Sequence, residues 1–256
     1  MSGTVSEAAD HLVAHRGYPL RFPENTLPSV LAALEAGARF VEVDVQLSRD
    51  GIPVLFHDRD LHRLCDEGGA VHDYTLQQLQ TFRVRDRARF GDRFTDIGIP
   101  TLRELAAVIR EWPGTTLFVE LKRISLQRFG NEKVLAVVLP ELAPIAAQCV
   151  IISYASDALQ EVSDHSDYPV GMVFENWADH ARSDIRTLAP AWLLCDIGTL
   201  PAGNIPVPSG RRLAVFECTD PRQALDVLER GVDLVETFAI GEMLSRMSGG
   251  GGSPGT

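Results

Sequence analysis

The chain is poor in cysteine and in positive charge, and it has no long apolar run. Its four cysteines, Cys65, Cys149, Cys195 and Cys218, are scattered along 256 residues with no C-x-x-C pair. That spacing argues against a disulfide framework or a thiolate zinc site, and two of the four sit in apolar runs, as reduced buried thiols do. No stretch approaches the roughly 18 apolar residues that a membrane span needs. The opening M-S-G-T-V-S-E-A-A-D has neither a basic n-region nor an apolar h-region, so no secretory leader and a cytoplasmic location are expected. Lysine and arginine total 24 against 35 acidic residues, a formal charge of −11 with a pI near 5.1. Nucleic acid is therefore an unsuitable partner, since it needs a basic face. An anionic ligand would have to be drawn in by a local group of cations or by a metal. There is no G-x-S-x-G or comparable serine or cysteine nucleophile motif.

What is present is an alternation of short aliphatic runs with longer helical patterns. Strands are expected at Leu12–His15, Phe40–Leu47, Pro53–His57, Thr116–Leu121, Val150–Ser153, Val170–Phe174, Trp192–Cys195, Leu213–Glu217 and Leu234–Thr237. Thr101-Leu-Arg-Glu104 is a capping box that opens a helix. Asp220-Pro221 opens another, which Gly231 stops. Strands alternating with helices argue for a parallel sheet covered by helices. One strand is surplus to a (β/α)8 barrel. Asp50-Gly51 is a hairpin signal, so Pro53–His57 returns antiparallel to Phe40–Leu47 and eight staves remain. The expected fold is a TIM-type barrel in a single domain over residues 1–247. A cap is inserted at about 59–98, with a short helix beginning at Thr75, and a flexible glycine-rich tail occupies 248–256.

The hairpin makes a sharper expectation. With Asp50-Gly51 as a two-residue loop, Arg49 faces Ile52 and Asp44 falls opposite His57, on the same face as Glu42. Val41, Val43 and Val45 would then face the helices, leaving Glu42 and Asp44 inside the barrel. Buried like charges need a cation.

His15, Arg16, Glu42, Asp44, Glu120 and Lys122 all fall where a strand should end, and chemistry in such barrels sits at the carboxyl ends of the strands. Glu42, Asp44 and Glu120 offer hard oxygens suited to one Mg2+ or Ca2+ ion. Arg16 offers a planar fork and Lys122 a point charge for phosphate oxygens. Two imidazoles, His15 and His57, can act as base and acid in turn on a phosphodiester. Asn25 either serves the site or caps the following helix. Phe174, Trp177 and Phe216 are candidates for an apolar wall around the substrate.

In these residues the chain resembles the glycerophosphodiester phosphodiesterase family of phospholipase-C-like barrels. The matches run in order: H-R-G at His15, P-E-N-T at Pro23–Thr26, E-x-D at Glu42 and Asp44, and S-R-D-G-x-P-V-x-x-H-D ending at Asp58. L-x-R at Leu61–Arg63, I-P-T-L-x-E at Ile99–Glu104 and E-L-K at Glu120–Lys122 follow. The resemblance implies metal ligands at Glu42, Asp44 and Glu120, acid–base histidines at His15 and His57, and phosphate contacts from Arg16 and Lys122. It implies attack on phosphorus by the neighbouring glycerol hydroxyl, then opening of the cyclic phosphate by water to give glycerol 3-phosphate. An internal nucleophile of this kind needs no protein nucleophile. The second half departs from the family's W-T-V-N and I-x-T-D patterns, reading A-V-F-E-C-T-D and D-L-V-E-T-F, with Glu217 an added carboxylate near the mouth. Two other readings use the same residues: a lysophospholipase D-type hydrolysis of lipid diesters, and a non-catalytic barrel that binds phosphodiesters. The oligomeric state is left open.

Overall fold

A computed structural model describes residues 8–248; residues 249–256 of the expected tail, and the first seven residues on which the no-leader reading rests, lie outside them. Nine strands form one sheet: β1 (Leu12–His15), β2 (Phe40–Leu47), β3 (Pro53–Leu55), β4 (Thr116–Leu121), β5 (Cys149–Ser153), β6 (Val170–Phe174), β7 (Trp192–Asp196), β8 (Arg212–Phe216) and β9 (Leu234–Thr237). All but β3 are parallel, and β1 pairs with both β9 and β2, so the eight close into a barrel. No helix among the described residues is long and apolar enough to cross a membrane.

Helices clothe the barrel: α1 (Leu27–Glu35), α2 (His62–Cys65), α3 (Leu76–Leu79), α4 (Arg87–Phe90), α5 (Leu102–Arg110), α6 (Arg123–Phe129), α7 (Asn131–Leu142), α8 (Ser156–His165), α9 (Ser183–Leu188), α10 (Pro221–Glu229) and α11 (Ile240–Ser248). Their starts follow local chemistry. Thr101 and Glu104 cap α5 reciprocally, Thr75 and Gln78 do the same for α3, and the Asp220 side chain caps α10 ahead of Pro221. Thr26, not Asn25, caps α1, its hydroxyl accepting from Ser29 N.

Strand parity sorts the side chains. Val41, Val43 and Val45 of β2 pack outward with the helices, while Glu42 and Asp44 point into the barrel and are almost fully buried. At the amino ends of the strands the interior is apolar, with Val13, Phe118, Val150, Trp192, Ala214 and Leu234 in one cluster. The Phe118 and Trp192 rings meet edge to face at 5.1 Å, a favourable aromatic geometry. Gly171 leaves space beside this cluster: a Cβ there would lie 2.9 Å from Ile152 Cγ2 and 3.0 Å from both Leu194 Cδ1 and Trp192 Cβ. The barrel is thus plugged below and polar above.

The hairpin register differs from expectation by one residue. β2 and β3 pair Val45 with Leu55 and Leu47 with Pro53, so Asp44 faces Phe56, whose N–H donates to Asp44 O at 3.0 Å. The loop holds three residues, not two: Ser48 N–H donates to Ile52 O, Gly51 N–H to Ser48 O, and Gly51 has φ +80°. This is a turn closed by a left-handed glycine, which adds one residue to the connection. β3 ends at Leu55, and His57 reaches the barrel mouth only after the strand. There the Gln46 side chain donates to the carbonyl oxygens of Phe56, His57 and Asp58 at 2.9, 3.2 and 2.5 Å. The segment that follows carries α2, α3 and α4 and packs on a small core of its own, formed by Val54, Phe56, Leu61, Leu64, Val71, Leu79, Val84 and Ile99.

Candidate active site

At the carboxyl ends of the strands a cavity of about 100 Å3 is lined by His15, Arg16, Glu42, His57, Glu120, Lys122 and Phe216, with Ile152, Tyr154, Val173, Leu194 and Glu236. β1 delivers His15 and Arg16, β2 delivers Glu42 and Asp44, and β4 delivers Glu120 and then Lys122. The chain leaves β1 through left-handed conformations at Arg16 (φ 57°) and Gly17 (φ 87°). A Cβ on Gly17 would sit 2.6 Å from Ser29 Oγ, so the glycine of H-R-G is sterically required.

One oxygen each from Glu42, Asp44 and Glu120 lie within 4.8 Å of one another, all three residues being buried. Asp44 is the best satisfied. Lys122 Nζ lies 3.0 Å from its Oδ1, and Asn25 Nδ2 donates to its Oδ2 at 2.8 Å, while Asp44 N–H donates back to Asn25 Oδ1. Burial alone would raise its pKa, but the Lys122 and Arg16 cations outweigh burial and hold it well below the usual carboxylate range. Burial and the neighbouring Asp44 push Glu42 up, and its Oε1 has no hydrogen-bond partner. Burial also raises Glu120, against the pull of Lys122 Nζ at 2.9 Å. A buried carboxylate trio with an orphaned oxygen fits a divalent cation, which would satisfy that oxygen. Arg16 Nη1 donates to Glu24 at 3.0 Å, and its Nε lies 3.1 Å from Asp44 Oδ2 without aiming its N–H at it. That N–H is buried and has no hydrogen-bond partner among the described residues.

Each of the two cavity histidines has its Nδ1 on a carboxylate. His57 Nδ1 is 2.8 Å from Asp58 Oδ1. Asp58 is held well below the usual range: burial opposes this, but the hydrogen bonds from His57 and Arg63 prevail. Arg63, in α2, donates to Asp58 through Nε at 2.6 Å and Nη2 at 2.9 Å, and forks onto buried Glu24 at 3.0 and 2.7 Å. An ionised Asp58 accepts the Nδ1–H of His57, leaving Nε2 for the cavity. His15 Nδ1 is 2.8 Å from Glu217 Oε2, and its ring stacks on Phe238 at 4.8 Å. His15 Nε2 lies 3.7 Å from Glu42 Oε2 and 3.8 Å from Glu236 Oε2. Burial, with Arg16 beside it, pulls the pKa of His15 well below that of a free imidazole.

Residues 15–237 match the Glycerophosphoryl diester phosphodiesterase family. The chain belongs to that family. A glycerophosphodiester phosphodiesterase of Caldanaerobacter subterraneus is 29% identical over 185 residues, 70% of this chain and 74% of that protein. Glycerophosphodiester phosphodiesterase 1 of Homo sapiens is 41% identical over 95 residues, 37% of this chain, so the match spans only 29% of the human protein's length. Among solved structures, an Oleispira antarctica phosphodiesterase in complex with the product sn-glycerol-3-phosphate superposes with a TM-score of 0.80 at 25% identity, covering 94% of this chain and 98% of that one.

Within this family member, the cavity is lined by His15, His57, Arg16, Lys122, Glu42 and Glu120, while Asp44 does not line it but lies with a carboxylate oxygen within 4.8 Å of Glu42 and Glu120. The aromatic expectations divide. Phe216 lines the cavity, but Phe174 and Trp177 pack in the helix-facing core and do not. Val173 is the inward residue of β6, so Phe174, one position on, faces outward. Asn25 is clasped to Asp44 and does not cap α1. Three further contributors carry no role in the sequence reading: Glu24 and Arg63, which tie the P-E-N-T and L-x-R motifs together, and Glu236. Glu236 shares its inward parity with Leu234, and that alternation was the signal for it.

Proposed function

We propose that this chain is a metal-dependent glycerophosphodiester phosphodiesterase that releases glycerol 3-phosphate and an alcohol. The observation that carries the reading is the pair of histidines, each with Nδ1 engaged by a carboxylate, facing one cavity beside a trio of buried carboxylates. Glu42, Asp44 and Glu120 would hold one Mg2+ or Ca2+ ion, which when bound supplies charge neutralisation at the phosphate. Arg16 and Lys122, both lining the cavity, add fixed positive charge at the same place for phosphate oxygens. His15, held neutral by burial, takes the proton from the glycerol hydroxyl adjacent to the ester as that oxygen attacks phosphorus. His57, beside an ionised Asp58, gives a proton to the departing alcohol oxygen as the P–O bond breaks. The cyclic phosphate is then opened by water with the roles reversed. Phe216, Ile152, Val173 and Leu194 keep the apolar side of the cavity dry. The four free buried thiols suit a reducing compartment, and we assign the protein to the cytoplasm.

The test is release of glycerol 3-phosphate from glycerophosphocholine and glycerophosphoethanolamine after chelation, and again after Mg2+ or Ca2+ is restored. Release should depend on the cation and fall about 100-fold or more in His15→Ala and in His57→Ala, the scale of lost general acid–base catalysis. Turnover unaffected by chelation, or near wild-type in either variant, overturns the reading.

A further inference from the structure

Glu217 follows β8, and none of the steps above uses it. It nevertheless lies against a reacting side chain. Its Oε1 accepts Phe238 N–H at 2.7 Å, just past the end of β9, and its Oε2 lies 2.8 Å from His15 Nδ1, at the end of β1. One carboxylate therefore ties together the ends of three strands. A backbone N–H can only donate, so Oε1 is committed as an acceptor and Oε2 is aimed at the imidazole. The Phe238 ring supports the face of the same imidazole at 4.8 Å and 20°. Edge and face together leave His15 one orientation, with Nε2 turned toward the cavity.

We propose that Glu217 is the positioning residue of His15, accepting its Nδ1–H and so keeping Nε2 unprotonated as the base. The proposal rests on the reading that His15 moves a proton in the reaction. The matching pair, Asp58 with His57, differs in one respect. Arg63 grips Asp58 with two N–H groups, whereas Glu217 has no ion-pair partner but His15 among the described residues. The charged groups facing it are His15, Arg16, Arg89 of α4 and Glu236 of β9. Burial prevails over the pull of the Phe238 N–H and of the two arginines and pushes Glu217 up to about 8. Below that pH the carboxyl is protonated, its O–H donates to Nδ1, and the ring proton moves to Nε2, the wrong nitrogen for a base. Above it the productive tautomer forms. Turnover should therefore rise with pH through the ionisation of Glu217.

Glu217→Gln separates positioning from packing. Its amide oxygen can take the Phe238 N–H, and its NH2 then donates to Nδ1, fixing the unproductive tautomer in a side chain of the same shape. Wild type, Glu217→Gln, Glu217→Ala and Glu217→Asp are compared for kcat and KM on glycerophosphocholine with saturating cation, from about pH 6 to about pH 9. The His15 tautomer is read separately from imidazole 15N shifts without substrate. We expect kcat to fall about 100- to 10,000-fold in Glu217→Gln, as for an imidazole held in the wrong tautomer. KM should hardly move, the alkaline rise should vanish, and Glu217→Asp should recover part of the rate. The 15N shifts should place the proton on Nδ1 in the wild type at high pH and on Nε2 in Glu217→Gln. Wild-type kcat in Glu217→Gln, or the same tautomer in both proteins, overturns the proposal. If the wild type turns over no diester, the assigned activity fails while the 15N comparison still decides the pairing.

Discussion

Glu42, Asp44, Glu120 and Glu236 share the upper interior of the barrel, yet only Asp44 is surrounded by enough positive charge to stay ionised easily. Burial raises the other three, and each is raised further by neighbouring carboxylates. A raised carboxylate pKa favours the folded state fully below the unfolded value of 4.5 and loses that contribution as pH climbs toward the folded value. The metal-free protein should therefore melt at a lower temperature at about pH 8 than at about pH 5, and added Mg2+ or Ca2+ should raise the melting temperature more at the higher pH. Equal cation-induced shifts at the two pH values, read by thermal denaturation, would contradict the carboxylate assignment. Much of this layer was legible, because Glu42 and Asp44 alternate with valines that name the outer face. Phe174 and Trp177 were not. V-G-M-V-F of β6 contains no polar residue to mark which parity points inward, so an aromatic near the strand end could be assigned to either side.

The hairpin between β2 and β3 shows what an element conceals. Asp-Gly serves a two-residue loop and a three-residue loop equally well, since both place glycine at positive φ. The choice lies in side-chain contacts that no local pattern reveals: Ser48 Oγ donates to Asp50 Oδ1 at 2.7 Å and accepts from Ile52 N at 2.9 Å. Those bonds select the longer loop and shift every cross-strand pair by one. His57 nevertheless arrives at the cavity, because Gln46 gathers the carbonyls beyond the strand end. Gly51→Ala should destabilise the fold by about 1–2 kcal/mol, the usual penalty for a Cβ in the left-handed region, measured by urea denaturation. An unchanged midpoint would mean that the loop does not require the left-handed residue. Helix starts were legible for the opposite reason, since Thr101 with Glu104 and Asp220 with Pro221 act within one turn.

Across the whole molecule, closure was legible by count: with Pro53–His57 set aside as a return strand, eight staves remain, the number of a (β/α)8 barrel. The pairing that closes it joins β1 to β9, segments from opposite ends of the chain. The closed barrel divides the labour along its axis, with the Phe118 and Trp192 plug supplying packing and the opposite end supplying chemistry. Phe118→Ala should cost about 3–5 kcal/mol of unfolding free energy, the range for an aromatic deleted from a core. Turnover per folded molecule should stay near the wild-type level at a temperature where the variant is folded. Parallel loss of both, followed by denaturation and by glycerol 3-phosphate release, would show the two ends to be coupled. Arg63 belongs to the inserted segment, yet its guanidinium fastens Asp58 behind His57 and Glu24 behind Arg16. The insertion is therefore not an interchangeable hat: a lid transplanted from another barrel would arrive without that fastening. A chimera built at this boundary has to carry Glu24, Asp58 and Arg63 across as one heritable unit.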